Sequence, residues 1–168
     1  KKVFAVLQLR FSKELQAIRA SLKLRESFEI AALNIQMHRG DYYFKGWKGN
    51  PKKSGGLLFN IGVHYIDLLC WMFGVHTDFS VNDLTNDHGS GTIRFQHAAA
   101  SWVINITVDK SNQARNITIL SKRINLTRIL ENLHDKVYEE LKEGRGVELS
   151  ELRATTNLIE CMSKYAST

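Results

Sequence analysis

The chain has 168 residues, 43% of them hydrophobic and 24% charged, which is enough for one domain with a real core and ordinary for a globular protein. A net charge of +6 and a pI near 9.4 suit an anionic partner, either nucleic acid or a phosphorylated small molecule. Two cysteines, Cys70 and Cys161, exclude a disulfide framework and fit a reducing, cytoplasmic setting.

Lys1 and Lys2 lead into VFAVLQL with no small-residue cleavage site behind it, so no signal peptide is expected. The N-x-T sequons at Asn105, Asn116 and Asn125 are accordingly read as chance. VFAVLQLRF, residues 3–11, is β-branched and apolar and predicts a buried strand. Ser12 then caps a helix with Leu15, Ile18 and Leu22 on its apolar stripe and Arg19 facing out. FEIAALNIQMH, residues 28–38, alternates well enough for a second strand.

RGDYYFKGWKGNPKKSGG, residues 39–56, reads as a long loop holding the only proline. Loops of this length inside a compact domain are functional or disordered, and the aromatic content argues against disorder. Its interleaved Lys45, Lys48, Lys52 and Lys53 with Tyr42, Tyr43, Phe44 and Trp47 resembles either a single-strand-binding surface or a grip on a nucleotide-sugar.

LLFNIGVHYIDLLCWMF, residues 57–73, predicts a largely buried helix ending at Gly74. Its apolar run is too short and too interrupted by polar residues for a membrane span. Asn60, His64 and Asp67 are unexpected in such a helix, because each costs free energy in a core unless it is paired. Asn60 and His64 are four apart and share a face, and Asp67 lies three beyond His64. A carboxylate near an imidazole orients it and tunes a proton shuttle. The plainer alternative is a satisfied core histidine with an aspartate at the surface. A metal set of His64, Asp67 and Cys70 drifts around the helix and finds no second ligand cluster, so no metal is expected. Cys70 reads as a small buried hydrophobe.

Gly55-Gly56 could cradle a phosphate, but no phosphate-binding G-x-x-x-x-G-K-[ST] or dinucleotide G-x-G-x-x-G pattern is present. The GSG at 89–91 and GRG at 144–146 read as lone turns. From 79 to 126 the pattern becomes a run of strands, separated by turns such as Asn86–Gly89 and Lys110-Ser111-Asn112. Helices are expected at 131–144 and at 150–165, the latter with Ser150 as N-cap. The segregation of strands and helices predicts an α+β fold: an open, largely antiparallel sheet with helices packed on one face, the other face being solvated or packed on a partner.

SGGLLFNIGVHYIDLLCWMFG resembles the signature of the Gfo/Idh/MocA oxidoreductases, whose C-terminal domains typically read G-G-x-L-x-D-x-G-x-H-x-x-D-x-x-x-W-x-x-G. Gly55, Gly56, Leu58, Gly62, His64, Asp67, Trp71 and Gly74 match, and Asn60 stands where many members have Asp. The resemblance extends over the whole chain, and RGDYYFKGWKGNPKKSGGLLFNIGVH is most similar to the branch that oxidises UDP-N-acetylglucosaminuronic acid at C3 for surface polysaccharide synthesis.

The resemblance implies that residues 1–168 are a substrate-binding and oligomerisation domain. The family's Rossmann domain and E-K-P motif are not in this sequence. NAD or NADP would serve the full-length parent, and the chain by itself is expected to bind neither and to be inactive. His64 would be the acid/base toward the sugar hydroxyl, and Asn60 would hydrogen-bond a neighbouring hydroxyl. Asp67 would support the helix or His64. Gln8 and Arg10 would face the nicotinamide or substrate edge, and Arg39, Tyr43, Trp47 and Lys48 would line the pocket. Family members also associate through the sheet face, which implies a homo-oligomer. A non-catalytic oligomerisation module is the main alternative. A nucleic-acid-binding domain is weaker, because the basic loop runs straight into the His64 signature.

Overall fold

A computed structural model describes residues 2–111, 113–131 and 133–166. Asn112, in an expected turn, and Asn132, in an expected helix, lie outside the described residues, as do Lys1, Ser167 and Thr168.

In chain order the elements are β1 (Phe4–Ala5), a 3-10 turn (Gln8–Phe11), α1 (Lys13–Lys23), β2 (Glu29–His38), α2 (Asp41–Lys45), a 3-10 turn (Trp47–Gly49) and α3 (Pro51–Ser54). A π-helical turn (Leu58–Gly62) then runs into α4 (Val63–Phe73). Strands β3 (His76–Leu84), β4 (His88–Phe95), β5 (Ala98–Thr107), β6 (Ala114–Ile119) and β7 (Lys122–Asn125) follow. The chain closes with α5 (Leu126–Glu131), α6 (His134–Lys142), β8 (Val147–Glu148), a 3-10 turn (Leu149–Leu152) and α7 (Arg153–Ser163).

The main sheet has six strands in the order β3-β4-β5-β2-β6-β7. Only the central β2–β5 pair is parallel, so the sheet is largely antiparallel, as expected. Period-two burial sets its two faces. Ala31, Leu33, Ile35 and Met37 of β2 point into the core, and Ile30, Ala32 and Asn34 point out. The parallel pair needs a long crossover, and α4 is the helix within it that covers the sheet. Leu57, Leu58, Ile66, Leu68 and Leu69 are buried against Leu33, Ile35, Ile93, Trp102 and Ile104. Each such side chain contributes about 1.5–3 kcal/mol on burial.

Pro51–Phe73 is the one helical run, among the described residues, long and apolar enough to cross a membrane by length and composition. Its apolar side chains are instead spent on the core of this sheet.

Several local expectations are corrected. Residues 3–11 are not one strand. Only Phe4–Ala5 pairs, with β8, and Gln8–Phe11 coils into a 3-10 turn that buries the adjacent Leu9 and Arg10 together. A strand with one covered face cannot bury neighbours in this way. Ser12 does cap α1, accepting from the Leu15 amide, but Arg19 does not face out. Its Nε donates to the Trp71 carbonyl at 2.6 Å and its guanidinium sits 4.7 Å from the Trp71 ring centroid.

The 39–56 segment is not loop throughout but folds into α2, a 3-10 turn and α3, with Asn50 capping α3 through the Lys52 amide. The 89–91 glycines are not a turn. They lie within β4, where a Cβ on either would press on the Trp102 ring, so they make room for that indole. Ser150 is not the final cap. Glu148 and Glu151 form a reciprocal capping box two residues earlier, which starts the 3-10 turn leading into α7.

Candidate functional site

The carboxyl end of β2, the start of β6, the π-helical turn and the first turn of α4 meet around a cleft of about 520 Å³. Asn60, in the π-helical turn, and His64, in α4, open onto it from one wall. π-helical turns inside α-helices recur at functional sites, because the extra residue re-aims the side chains that follow.

The His64 ring is accessible along the cleft wall while protein surrounds its other sides. That enclosure lowers its pKa, and the Asp67 carboxylate pulls weakly the other way. The imidazole is therefore neutral at pH 7 and able to accept a proton.

Tyr43 (4% exposed) stands on the same wall and takes a hydrogen bond from Asn60 Nδ2 at 2.9 Å. The same nitrogen donates to the Lys48 carbonyl at 3.2 Å, tying the 3-10 turn to the helix. Burial pushes the Tyr43 phenol pKa up, against the Arg39 charge and the Asn60 hydrogen bond. Tyr65, buried at the cleft, is likewise pushed up by burial and held back by Arg115 and Arg39. Arg39, Lys48 and Arg115 give the cleft three cations, against the one carboxylate of Glu131. Gln8 enters from the first 3-10 turn and donates to the His134 ring, which stacks on Tyr138.

Of the expected site residues, Gln8, Arg39, Tyr43, Lys48, Asn60 and His64 come together here. Three do not. Trp47 is 60% exposed and lies outside the cleft, with the Lys48 ammonium 5.8 Å from its ring centroid. Arg10, expected at the nicotinamide or substrate edge, and Asp67, expected to support the helix or His64, form a buried pair with each other. Arg10 Nε and Nη2 meet Asp67 Oδ2 and Oδ1 at 2.8 and 2.6 Å, and Thr155 donates to the same carboxylate. Asp67 is thus neither a surface residue nor a pocket residue, being 1% exposed.

Cys70 is buried and its thiol pushed up to about 12, so it is no ready metal ligand. No cluster of three His, Cys, Asp or Glu side chains able to hold a metal occurs among the described residues. Gly55-Gly56 lies between α3 and the π-helical turn. Both have positive φ, and a Cβ on Gly55 would strike Phe59 at 2.7 Å, so the close approach is to a side chain of this chain.

Arg115 was missed as a site residue. Period two in ARNITI sets it on the same face as the buried Ile117 and Ile119, and a cation on an apolar face was the available signal. Tyr65, Thr127, Glu131 and His134 carried no such signal.

Residues 27–162 match the oxidoreductase family C-terminal alpha/beta domain of Gfo/Idh/MocA proteins. The chain belongs to that family. As this domain it resembles the WlbA (WbpB) dehydrogenase of Thermus thermophilus, solved with NAD and UDP-GlcNAcA, at a TM-score of 0.85 and 28% identity. That likeness covers 97% of this chain and 55% of the other, so the Gfo/Idh/MocA domain described here spans about half the length of that relative. The WlbA dehydrogenase of Bordetella pertussis, solved with NADH and UDP-GlcNAcA, shares the fold at a TM-score of 0.74 and 21% identity, over 97% of this chain and 61% of its own. The aldose-aldose oxidoreductase of Caulobacter crescentus shares it at 0.67 and 14%, over 98% and 62%.

Proposed function

We propose that this Gfo/Idh/MocA domain is the substrate-binding domain of an NAD(P)-dependent nucleotide-sugar dehydrogenase. Its substrate would be a UDP-N-acetylhexuronic acid, oxidised at C3 in surface polysaccharide (lipopolysaccharide) biosynthesis. The observation that carries the reading is the His64 imidazole beside three cations, Arg39, Lys48 and Arg115, in one cleft. A uronate and a diphosphate are the anions such a cleft suits, and arginine binds either through paired N–H donors. The T. thermophilus relative, solved with UDP-GlcNAcA, supports the substrate class.

Oxidation of a secondary hydroxyl needs a base for the O–H proton and an acceptor for the hydride. His64 fits the first role, because it is neutral at working pH and opens onto the cleft. Asn60 cannot act as a base. Accepting a hydride is the chemistry of a nicotinamide, which the rest of the parent protein would bind, in the cytoplasm.

All 168 residues would form one unit that both binds substrate and assembles the enzyme. The outer sheet face, with Ile30 75% exposed among Ala32, Ser101 and Thr92, favours packing on a second copy.

The test is calorimetric titration of UDP-N-acetylglucosaminuronate into the chain and its His64→Ala variant, with NAD titrated separately. Sugar binding that weakens in the variant supports the reading. A chain that ignores the sugar, or binds NAD tightly, overturns it.

A further inference from the structure

Asn60 makes two hydrogen bonds with one nitrogen, to the Lys48 carbonyl at 3.2 Å and to Tyr43 Oη at 2.9 Å. A carbonyl only accepts, so the Lys48 contact identifies that end of the amide as NH2. The same NH2 then donates to Tyr43, and the phenol oxygen is the acceptor. The Tyr43 O–H must find a different acceptor, and among the described residues no protein group takes it. Tyr43 lines the cleft with His64 and Arg39, so that proton faces the cleft, where it meets water until a ligand oxygen replaces it.

We propose that Tyr43 is a ligand-binding hydrogen-bond donor in the cleft, and that Asn60 is the positioning residue that aims its proton there. The acceptor is a ligand oxygen of carboxylate or hydroxyl class, because Arg39 and Lys48 share the cleft. Asn60 also holds the turn that carries Lys48, so one amide sets a proton direction and the place of a cation. Aspartate at this position would reverse both effects. Its carboxylate accepts only, so it would draw the phenol proton away from the cleft and repel the Lys48 carbonyl. The identity of the ligand rests on the substrate-domain reading above, whereas the direction of the hydrogen bond rests on geometry alone.

The experiment has two arms on the full chain. Tyrosine labelled with 13C at Cζ is followed through a pH titration, with the Tyr43 signal assigned by its absence in Tyr43→Phe. In Asn60→Asp the Tyr43 signal should shift and ionise at higher pH than in the wild type, because the phenol now donates to a carboxylate. An unchanged signal overturns the proposal.

In the second arm UDP-N-acetylglucosaminuronate is titrated calorimetrically. Tyr43→Phe and Asn60→Asp should each weaken binding about tenfold. The double variant should fall well short of the product of the two. Wild-type affinity in Tyr43→Phe, or fully additive losses showing that Asn60 meets the ligand itself, also overturns the proposal. A wild-type chain that ignores the sugar sinks the substrate reading instead, and the labelled-tyrosine arm, which needs no ligand, still decides the hydrogen-bond direction.

Discussion

Arg10 and Asp67 form a bidentate ion pair at 2.8 and 2.6 Å in the interior of the domain, 8% and 1% exposed, and so tie the first 3-10 turn to α4. Thr155 of α7 donates to the same carboxylate at 3.0 Å, so three segments far apart in sequence meet at one charge. The aspartate of the family signature works here as a clamp behind the cleft wall, one turn from His64.

Removing Arg10 strands the Asp67 carboxylate in the interior, and removing Asp67 leaves Arg10 only its longer contact with the half-exposed Glu151 at 3.3 Å. Arg10→Met or Asp67→Leu should each cost about 3–5 kcal/mol, and the double replacement should cost clearly less than the sum. Urea denaturation of the four proteins measures this. A loss under 1 kcal/mol in both single variants would refute the clamp.

His64 titrates below an ordinary histidine, so the unfolded chain binds a proton more readily than the folded one. Its contribution to stability is therefore present above the unfolded value near 6.5 and is lost as pH falls through the lower folded value. His64→Gln should flatten the acid side of the stability profile by the part that belongs to this residue. An imidazole NMR titration that places the His64 pKa at or above 6.5 would contradict the neutral-base assignment.

Arg39, directly after β2, and Arg115 of β6 face one cleft. Arg39→Ala and Arg115→Ala should each weaken UDP-N-acetylglucosaminuronate binding by about tenfold and make it less salt-dependent. Lys122→Ala, exposed on β7 and outside the cleft, is the control that should change nothing.

Gly91 and Gly144 separate crowding from backbone strain. A Cβ on Gly91 would lie 2.1 Å from the Ser80 carbonyl oxygen, which is backbone in the paired β3 and cannot swing aside. Gly144 has a φ of +75° in open space. Gly144→Ala should cost about 1 kcal/mol and Gly91→Ala about 2–3 kcal/mol or more. Thermal melts that reverse this order would refute the packing argument.

Local pattern carried much of the fold. Alternation placed β2 within one residue of its observed start, and Gly74 ended α4 where a positive φ was needed. Pattern failed where a long-range partner overrides the local period. VFAVLQLRF looks like a strand, but burying Arg10 beside Leu9 against Asp67 coils its second half. Ser150 looks like a cap, but a reciprocal pair of glutamates two residues earlier satisfies two backbone amides at once.

The sequence by itself determined the strand β2, the buried helix that ends at Gly74, the presence of polar residues on that apolar helix, and the family signature around His64. Those properties are local, because a helix or strand period assigns each side chain to a face without reference to the rest of the chain. Only the tertiary structure decided that Asp67 meets Arg10, that Arg115 joins Arg39 at the cleft, and that Asn60 donates to both Tyr43 and Lys48. These pairings span 57, 76, 17 and 12 residues of chain. Which side chain answers a buried charge or amide depends on which elements pack together, and that is settled by the sum of contacts over the whole core.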